Sequence, residues 1–158
     1  LTIPADGSEA KPVRLRNGYV IVPVSFEKDE AGKVVCVHAR YLPETKSGTA
    51  GADSVKAKAA IHWLDAATAV SAEFRLYDRL FSVPQPDAAD DFLTVLNRDS
   101  KFVSRGFVEP SVAAAAPETR YQFERVGYFV TDIKDHSPER PVVNLAVGLR
   151  DSWGKNTK

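Results

Sequence analysis

Short runs rich in Val, Ile, Tyr and Phe recur along the chain, each closed by a cluster of Gly, Pro or Asp. That punctuation predicts an all-β protein built from many short strands. The first run covers 13–26 and the second 34–41, with Asp29-Glu30-Ala31-Gly32 as the turn of a hairpin between them. In the second run Val35, Val37, Ala39 and Tyr41 fall on one face and Cys36, His38 and Arg40 on the other. The stretch 42–54 has two glycines and no periodicity, and reads as a mobile surface loop. Strand character returns at 57–64 and 72–81, with a turn or short helix at Asp65-Ala66-Ala67-Thr68. Pro84 and Pro86 break the chain, and Asp87 is placed to cap a short helix over 88–93. Further strands are expected at 101–108, 121–133 and 142–153, with a short helical connection at 110–117, a polar loop at 135–141 and a polar tail at 154–158. Many short strands favour barrels over an open sheet, because closure removes exposed edges.

Length and composition narrow the class. The 158 residues suit one large or two small domains, long enough to bury a core without disulfides. A single cysteine, Cys36, excludes a disulfide within the chain and favours the cytosol. No run is long enough for a helical membrane span. A start at Leu1 and the absence of methionine read as a fragment of a longer protein. Formal net charge is zero, which argues against nucleic-acid binding through a broad basic field. A reader of a few unpaired bases is compatible with it, since such a site needs placed donors and acceptors more than bulk charge.

Nothing in the sequence supports independent catalysis. There is no phosphate-binding Gly-rich motif and no Gly-x-Ser-x-Gly. Cys36 and His38 share a strand face, but a metal site needs further ligands and no second cysteine exists. Asp90-Asp91 reads as a solvated helix start. Two polar groupings remain. Arg14 and Arg16 alternate with Val13 and Leu15, so on a strand both guanidiniums leave one face, with Lys11 just upstream. Such a pair can clamp a phosphate and a base edge, or serve as a solvated edge that resists aggregation. Gln122 and Glu124 share a face of the strand that carries Tyr121 and Phe123 on the other. A carboxylate accepting the uracil N–H and an amide donating to its carbonyl would make a uracil reader; a plain polar face is the alternative.

In order along the chain come Val13-Arg14-Leu15-Arg16-Asn17, then Lys56-Ala57-Lys58-Ala59-Ala60-Ile61-His62-Trp63, then Glu73-Phe74-Arg75-Leu76-Tyr77-Asp78-Arg79-Leu80-Phe81. They are followed by Phe107-Val108-Glu109-Pro110-Ser111, Tyr121-Gln122-Phe123-Glu124-Arg125-Val126-Gly127-Tyr128-Phe129 and Val147-Gly148-Leu149-Arg150-Asp151-Ser152-Trp153. Together these words resemble the C-terminal, anticodon-binding region of glutaminyl-tRNA synthetases. The resemblance implies two antiparallel β-barrels with short helices, related to a ribosomal protein barrel that binds 5S RNA. The distal barrel would be mainly 12–56 and 82–135, and the proximal one mainly 57–81 and 136–154, with strands shared. It further implies a parent glutamine–tRNA ligase of class I, whose ATP and Mg²⁺ belong to a catalytic domain bearing signatures not found here. This chain would then hold no cofactor or metal of its own. Its partners would be the anticodon loop of tRNA(Gln) and the parent's catalytic domain, in a cytoplasmic monomer.

By position, Arg14 and Arg16 match an arginine pair near the first anticodon base, and Gln122 and Glu124 the polar pair lining the pocket of the middle base. A Lys-Arg pair that the family carries just upstream is expected to be lost by truncation. The chain departs from the family at Lys56-Ala57-Lys58-Ala59, where Lys-x-Lys-Gly is usual, and at Leu145 and Ala146, where Arg and Thr are usual. Two other readings stay open: the tail of an archaeal- or eukaryotic-type glutamyl-tRNA synthetase, and a stand-alone barrel that binds ribosomal RNA or a protein.

Overall fold

The computed structural model describes residues 3–4 and 10–149. The final motif residues Arg150, Asp151, Ser152 and Trp153, and the tail 154–158, lie outside the described residues. The chain divides into two compact units, Leu1–Trp63 and Leu64–Lys158.

The first unit holds one sheet in the order β3-β2-β1-β4, formed by β1 (Val13–Leu15), β2 (Val20–Lys28), β3 (Val34–Leu42) and β4 (Ala59–Ile61). The predicted run 13–26 is two strands, because the chain reverses at Asn17, whose φ is 57°. Asn tolerates that left-handed conformation better than most residues, and Gly18 follows it. The expected hairpin turn is present: the Asp29 carboxylate accepts from the backbone N–H groups of Ala31 and Lys33 at 3.0 and 2.8 Å, and Gly32 takes a φ of 79°. β4 joins β1 in parallel, with Arg14 opposite Ala60. Ala10, Val13, Val20 and Val22 are buried, but the outer half of the β2–β3 ribbon leaves Val24 and Val35 about three-fifths exposed, at 62% and 60%.

The second unit holds a five-stranded sheet in the order β6-β5-β9-β8-β7. Its strands are β5 (Val70–Tyr77), β6 (Lys101–Val108), β7 (Arg120–Phe123), β8 (Gly127–Thr131) and β9 (Val142–Gly148). The run predicted over 121–133 is again two strands, separated by a turn at Glu124-Arg125-Val126. A four-residue helix, Pro110–Ala113, fills the expected connection. Before β6 the capping residue is Asp91, whose carboxylate accepts from the Leu93 N–H at 2.9 Å; Asp87 instead sits inside a 3₁₀ turn, Pro86–Ala88. Ala72, Val108, Val112, Phe129 and Val143 form the core. Phe74, Phe123 and Phe129 meet edge-on or tilted, with centroids 4.8–5.9 Å apart. Phe129 is fully buried, which contributes about 1.5–3 kcal/mol over leaving it in water; Phe74 and Phe123 are partly buried against it.

The class is all-β, as the punctuation predicts. Closure is a different matter: among the described residues neither hydrogen-bonded ladder returns to its first strand, and both sheets are open. No helix among the described residues is long and apolar enough to cross a membrane.

Candidate nucleic-acid interface

The two polar groupings fall in different units. Arg14 and Arg16 belong to the first, Gln122 and Glu124 to the second.

Arg14 lies in β1, half-buried, and its guanidinium is spent on the loop that follows β3. Nη1 donates to the Thr45 carbonyl at 3.0 Å, to Ser47 Oγ at 3.4 Å and weakly to the Gly18 carbonyl at 3.5 Å. Nη2 donates to the Ala52 carbonyl. Thr45 completes the anchor from a fully buried position. Its hydroxyl accepts from the Val20 N–H at 2.8 Å and donates to the Leu42 carbonyl at 2.6 Å. Ser47 donates to the Gly18 carbonyl through both its N–H and its hydroxyl, at 2.9 and 2.8 Å. The loop predicted as mobile over 42–54 is therefore laced to the β1–β2 turn by charge-assisted and buried hydrogen bonds.

Arg16 sits just past the end of β1, and its side chain is exposed. Its backbone is fixed on both sides. Its N–H donates to the Ile61 carbonyl at 2.9 Å, and its carbonyl accepts from Trp63 Nε1 at 3.0 Å. Leu15 and Trp63 close around Gly18, where an added Cβ would stand 3.3 Å from each. Arg14 thus braces the turn in which the exposed Arg16 sits.

In the second unit Gln122 is exposed on β7, an edge strand whose outer side has no ladder partner among the described residues. Its cross-strand partner is Tyr128, which is 46% exposed. Glu124 is not on the strand. β7 ends at Phe123, and Glu124 begins the turn, half-buried, next to Arg125, whose φ is 61°. The strand-face relation expected between Gln122 and Glu124 is replaced by a strand-end and turn relation. Gly127 closes this turn opposite Phe123, and a Cβ there would lie 2.8 Å from both Leu145 Cδ1 and the Val147 carbonyl. Inward, Tyr121 and Phe123 stack with centroids 6.1 Å apart and anchor the hairpin in the core. Tyr128 and Arg125 carry no signal in the strand pattern that would single them out. Tyr128 offers an aromatic face beside Gln122, a surface on which an unpaired base can stack. The hairpin register, set by Gly127, is the signal that brings them in.

Two buried polar side chains of the second unit, His136 and Arg75, serve the fold. His136, nearly buried, accepts from the Val142 N–H at Nδ1 and meets the Ala115 carbonyl at Nε2, both at 3.1 Å, which requires the neutral ring to carry its proton on Nε2. Arg75, also buried, is ringed by Glu73 at 2.7 Å, Asp132 at 3.2 Å and Asp135 at 2.7 Å. The Asn144 amide donates to Asp132 at 2.8 Å. That bond, with the backbone N–H groups of Asp135 and Lys134 and the Arg75 charge, overcomes burial and holds the Asp132 carboxyl down to about 2. Hydrogen bonding by Arg75, and then by Arg140, likewise holds the Glu73 carboxyl below its usual range. This network ties β5 to the segment before β9.

Residues 60–132 match the family described as the anticodon-binding domain of class I tRNA synthetases (E and Q). Over 144 residues the chain is 58% identical to a glutamine–tRNA ligase of Ralstonia pickettii (strain 12J) and 59% identical to one of Cupriavidus necator. Each match covers 90% of this chain and 25% of the relative. A glutamine–tRNA ligase of Serratia proteamaculans (strain 568) is 53% identical over 145 residues, 92% of this chain and 26% of the relative. The chain spans about a quarter of the length of the curated relatives it matches. Residues 60–132 thus belong to the anticodon-binding domain family of class I tRNA synthetases (E and Q), and the likeness to glutamine–tRNA ligases extends beyond them into the first unit.

Proposed function

We propose that this chain reads the anticodon loop of tRNA(Gln) on behalf of a glutamine–tRNA ligase. In the parent enzyme a separate catalytic domain would use ATP and Mg²⁺ to join glutamine to the tRNA, in the cytoplasm and as a monomer. The observation that carries this reading is the identity of more than half the residues to glutamine–tRNA ligases, running through both units. The division of labour within the family, a distal barrel mainly of 12–56 and 82–135 and a proximal one mainly of 57–81 and 136–154, is part of the same proposal.

The roles proposed within each unit rest on the family resemblance and on the exposure of Arg16 and Gln122. Arg16 offers a guanidinium to the first anticodon base and its phosphate, while Arg14 belongs to the same contact region and keeps the turn and loop in place. Gln122 and Glu124 recognise the middle base, uracil, the amide donating to a carbonyl and the carboxylate accepting the ring N–H. Tyr128 stacks on the splayed base. Support for the second pair comes from the exposure of Gln122 and from Glu124 opening the turn that follows the same short strand.

The test is a titration of the chain with a seventeen-base anticodon stem-loop carrying uracil or cytosine in the middle. The uracil form binds more tightly, and Gln122→Ala with Glu124→Ala removes the difference, about 1–3 kcal/mol, while general RNA binding persists. Equal binding of both stem-loops by the unmutated chain refutes the proposal. The family description covers glutamate as well as glutamine enzymes. A tighter grip on the tRNA(Glu) stem-loop than on that of tRNA(Gln) would move the chain to the glutamate branch.

A further inference from the structure

Glu27, Cys36 and His38 meet on the outer half of the β2–β3 ribbon, several residue pairs along from the turn that carries Arg16. Glu27 and Cys36 are cross-strand partners, and His38 lies two positions beyond Cys36, so the pleat turns all three side chains the same way. His38 Nε2 is 2.6 Å from Glu27 Oε1 and 3.9 Å from Cys36 Sγ. The ligand atoms of the three all lie within 4.8 Å of one another, and among the described residues no other group of three His, Cys, Asp or Glu converges as closely. All three are exposed.

We propose that these side chains form an open, three-ligand site for a divalent cation of the zinc class, with water in the fourth position. A thiolate, an imidazole and a carboxylate are the donors zinc takes, whereas calcium and magnesium need shells of oxygen. With the usual bond lengths, tetrahedral coordination puts donor atoms about 3.3–3.6 Å apart. The sulfur is already near that separation from the imidazole, and the carboxylate needs only to swing back from its hydrogen bond. Cys36 binds as the thiolate, its proton passing to solvent, and no electron changes hands. The ion would staple two strands whose outer residues Val24 and Val35 find no core to pack in.

The test uses Co²⁺ on the reduced 158-residue chain, followed by Zn²⁺ competition. A thiolate-to-cobalt charge-transfer band appears in the near ultraviolet, Zn²⁺ erases it, and Zn²⁺ slows amide exchange along 24–28 and 34–39. Cys36→Ser abolishes the band. His38→Ala and Glu27→Gln each weaken Co²⁺ at least about tenfold, because even an outer partner of a metal ligand is worth about 10–100-fold. Since all three side chains are exposed, the variants keep the fold, and circular dichroism verifies it. No band at millimolar Co²⁺ overturns the proposal. So does a band of undiminished affinity in both His38→Ala and Glu27→Gln, which would leave the metal on the thiol alone.

Discussion

Replacing Arg14 with Lys separates charge from geometry. The positive charge remains, but one ammonium cannot span the Thr45 and Ala52 carbonyls that the two guanidinium nitrogens reach at once. At least one charge-assisted hydrogen bond is lost, worth about 1.5–3 kcal/mol in a buried setting. Arg14 is half-buried, so water takes up part of the loss and the lower end, roughly 1.5 kcal/mol, is the expected cost. For a unit the size of Leu1–Trp63, each 1 kcal/mol moves the melting temperature by about 4–8 °C if that unit unfolds on its own. Calorimetry should therefore show a transition lowered by roughly 6–12 °C. Amide exchange should localise the change: the Ser47 N–H, bonded to the Gly18 carbonyl, loses protection, while amides in β8 and β9 do not. A melting curve superimposable on the parent's, with Ser47 protected as before, would refute the bracing role and leave Arg14 as a binding residue only.

Three further outcomes follow from the same structure. Thr45→Val keeps shape but orphans the buried Val20 N–H, and should cost about 1–3 kcal/mol by denaturant titration; Thr45→Ser, which keeps the hydroxyl, should be the milder change. The Asp132 carboxyl is held at about 2, below its ordinary value, so its stabilisation is complete above the unfolded value near 4 and is lost as pH falls toward 2. Acid unfolding of the second unit should flatten in that window in Asp132→Asn, and an unchanged slope would remove Asp132 from the account. Gly127→Ala drives a Cβ into the Val147 carbonyl and Leu145, and should both destabilise the hairpin and blunt the preference for middle uracil; normal uracil discrimination would show that the turn tolerates the displacement.

The legibility of the chain followed local chemistry. The turn at 29–32 was readable because Asp29 and Gly32 supply the acceptor and the left-handed residue that such a turn demands. Asn17-Gly18 carried the same kind of signal inside a run read as one strand, and it is where that strand breaks. The turn at 124–126 was harder, since Arg125 takes the left-handed conformation without being Gly or Asn. What compels it is tertiary: Gly127 must approach β9, and Phe123 must reach the aromatic core. Arg14 was identified as a candidate by spacing, but its acceptors lie 31 and 38 residues away at Thr45 and Ala52, beyond the reach of any local pattern. For the same reason the tethering of the loop after β3 was invisible, and so was the arrival of Glu27 beside Cys36 and His38.

In the second unit β9, the last of the described strands, is central in space, joining β5 on one side and β8 on the other. A nascent chain leaving the ribosome can therefore make the β5–β6 and β7–β8 hairpins but cannot unite them until residues 142–148 emerge. The half-made sheet would wait with two open flanks, and termination of synthesis before Val142 would leave a pair of unjoined hairpins, a substrate for proteolysis in place of a folded domain.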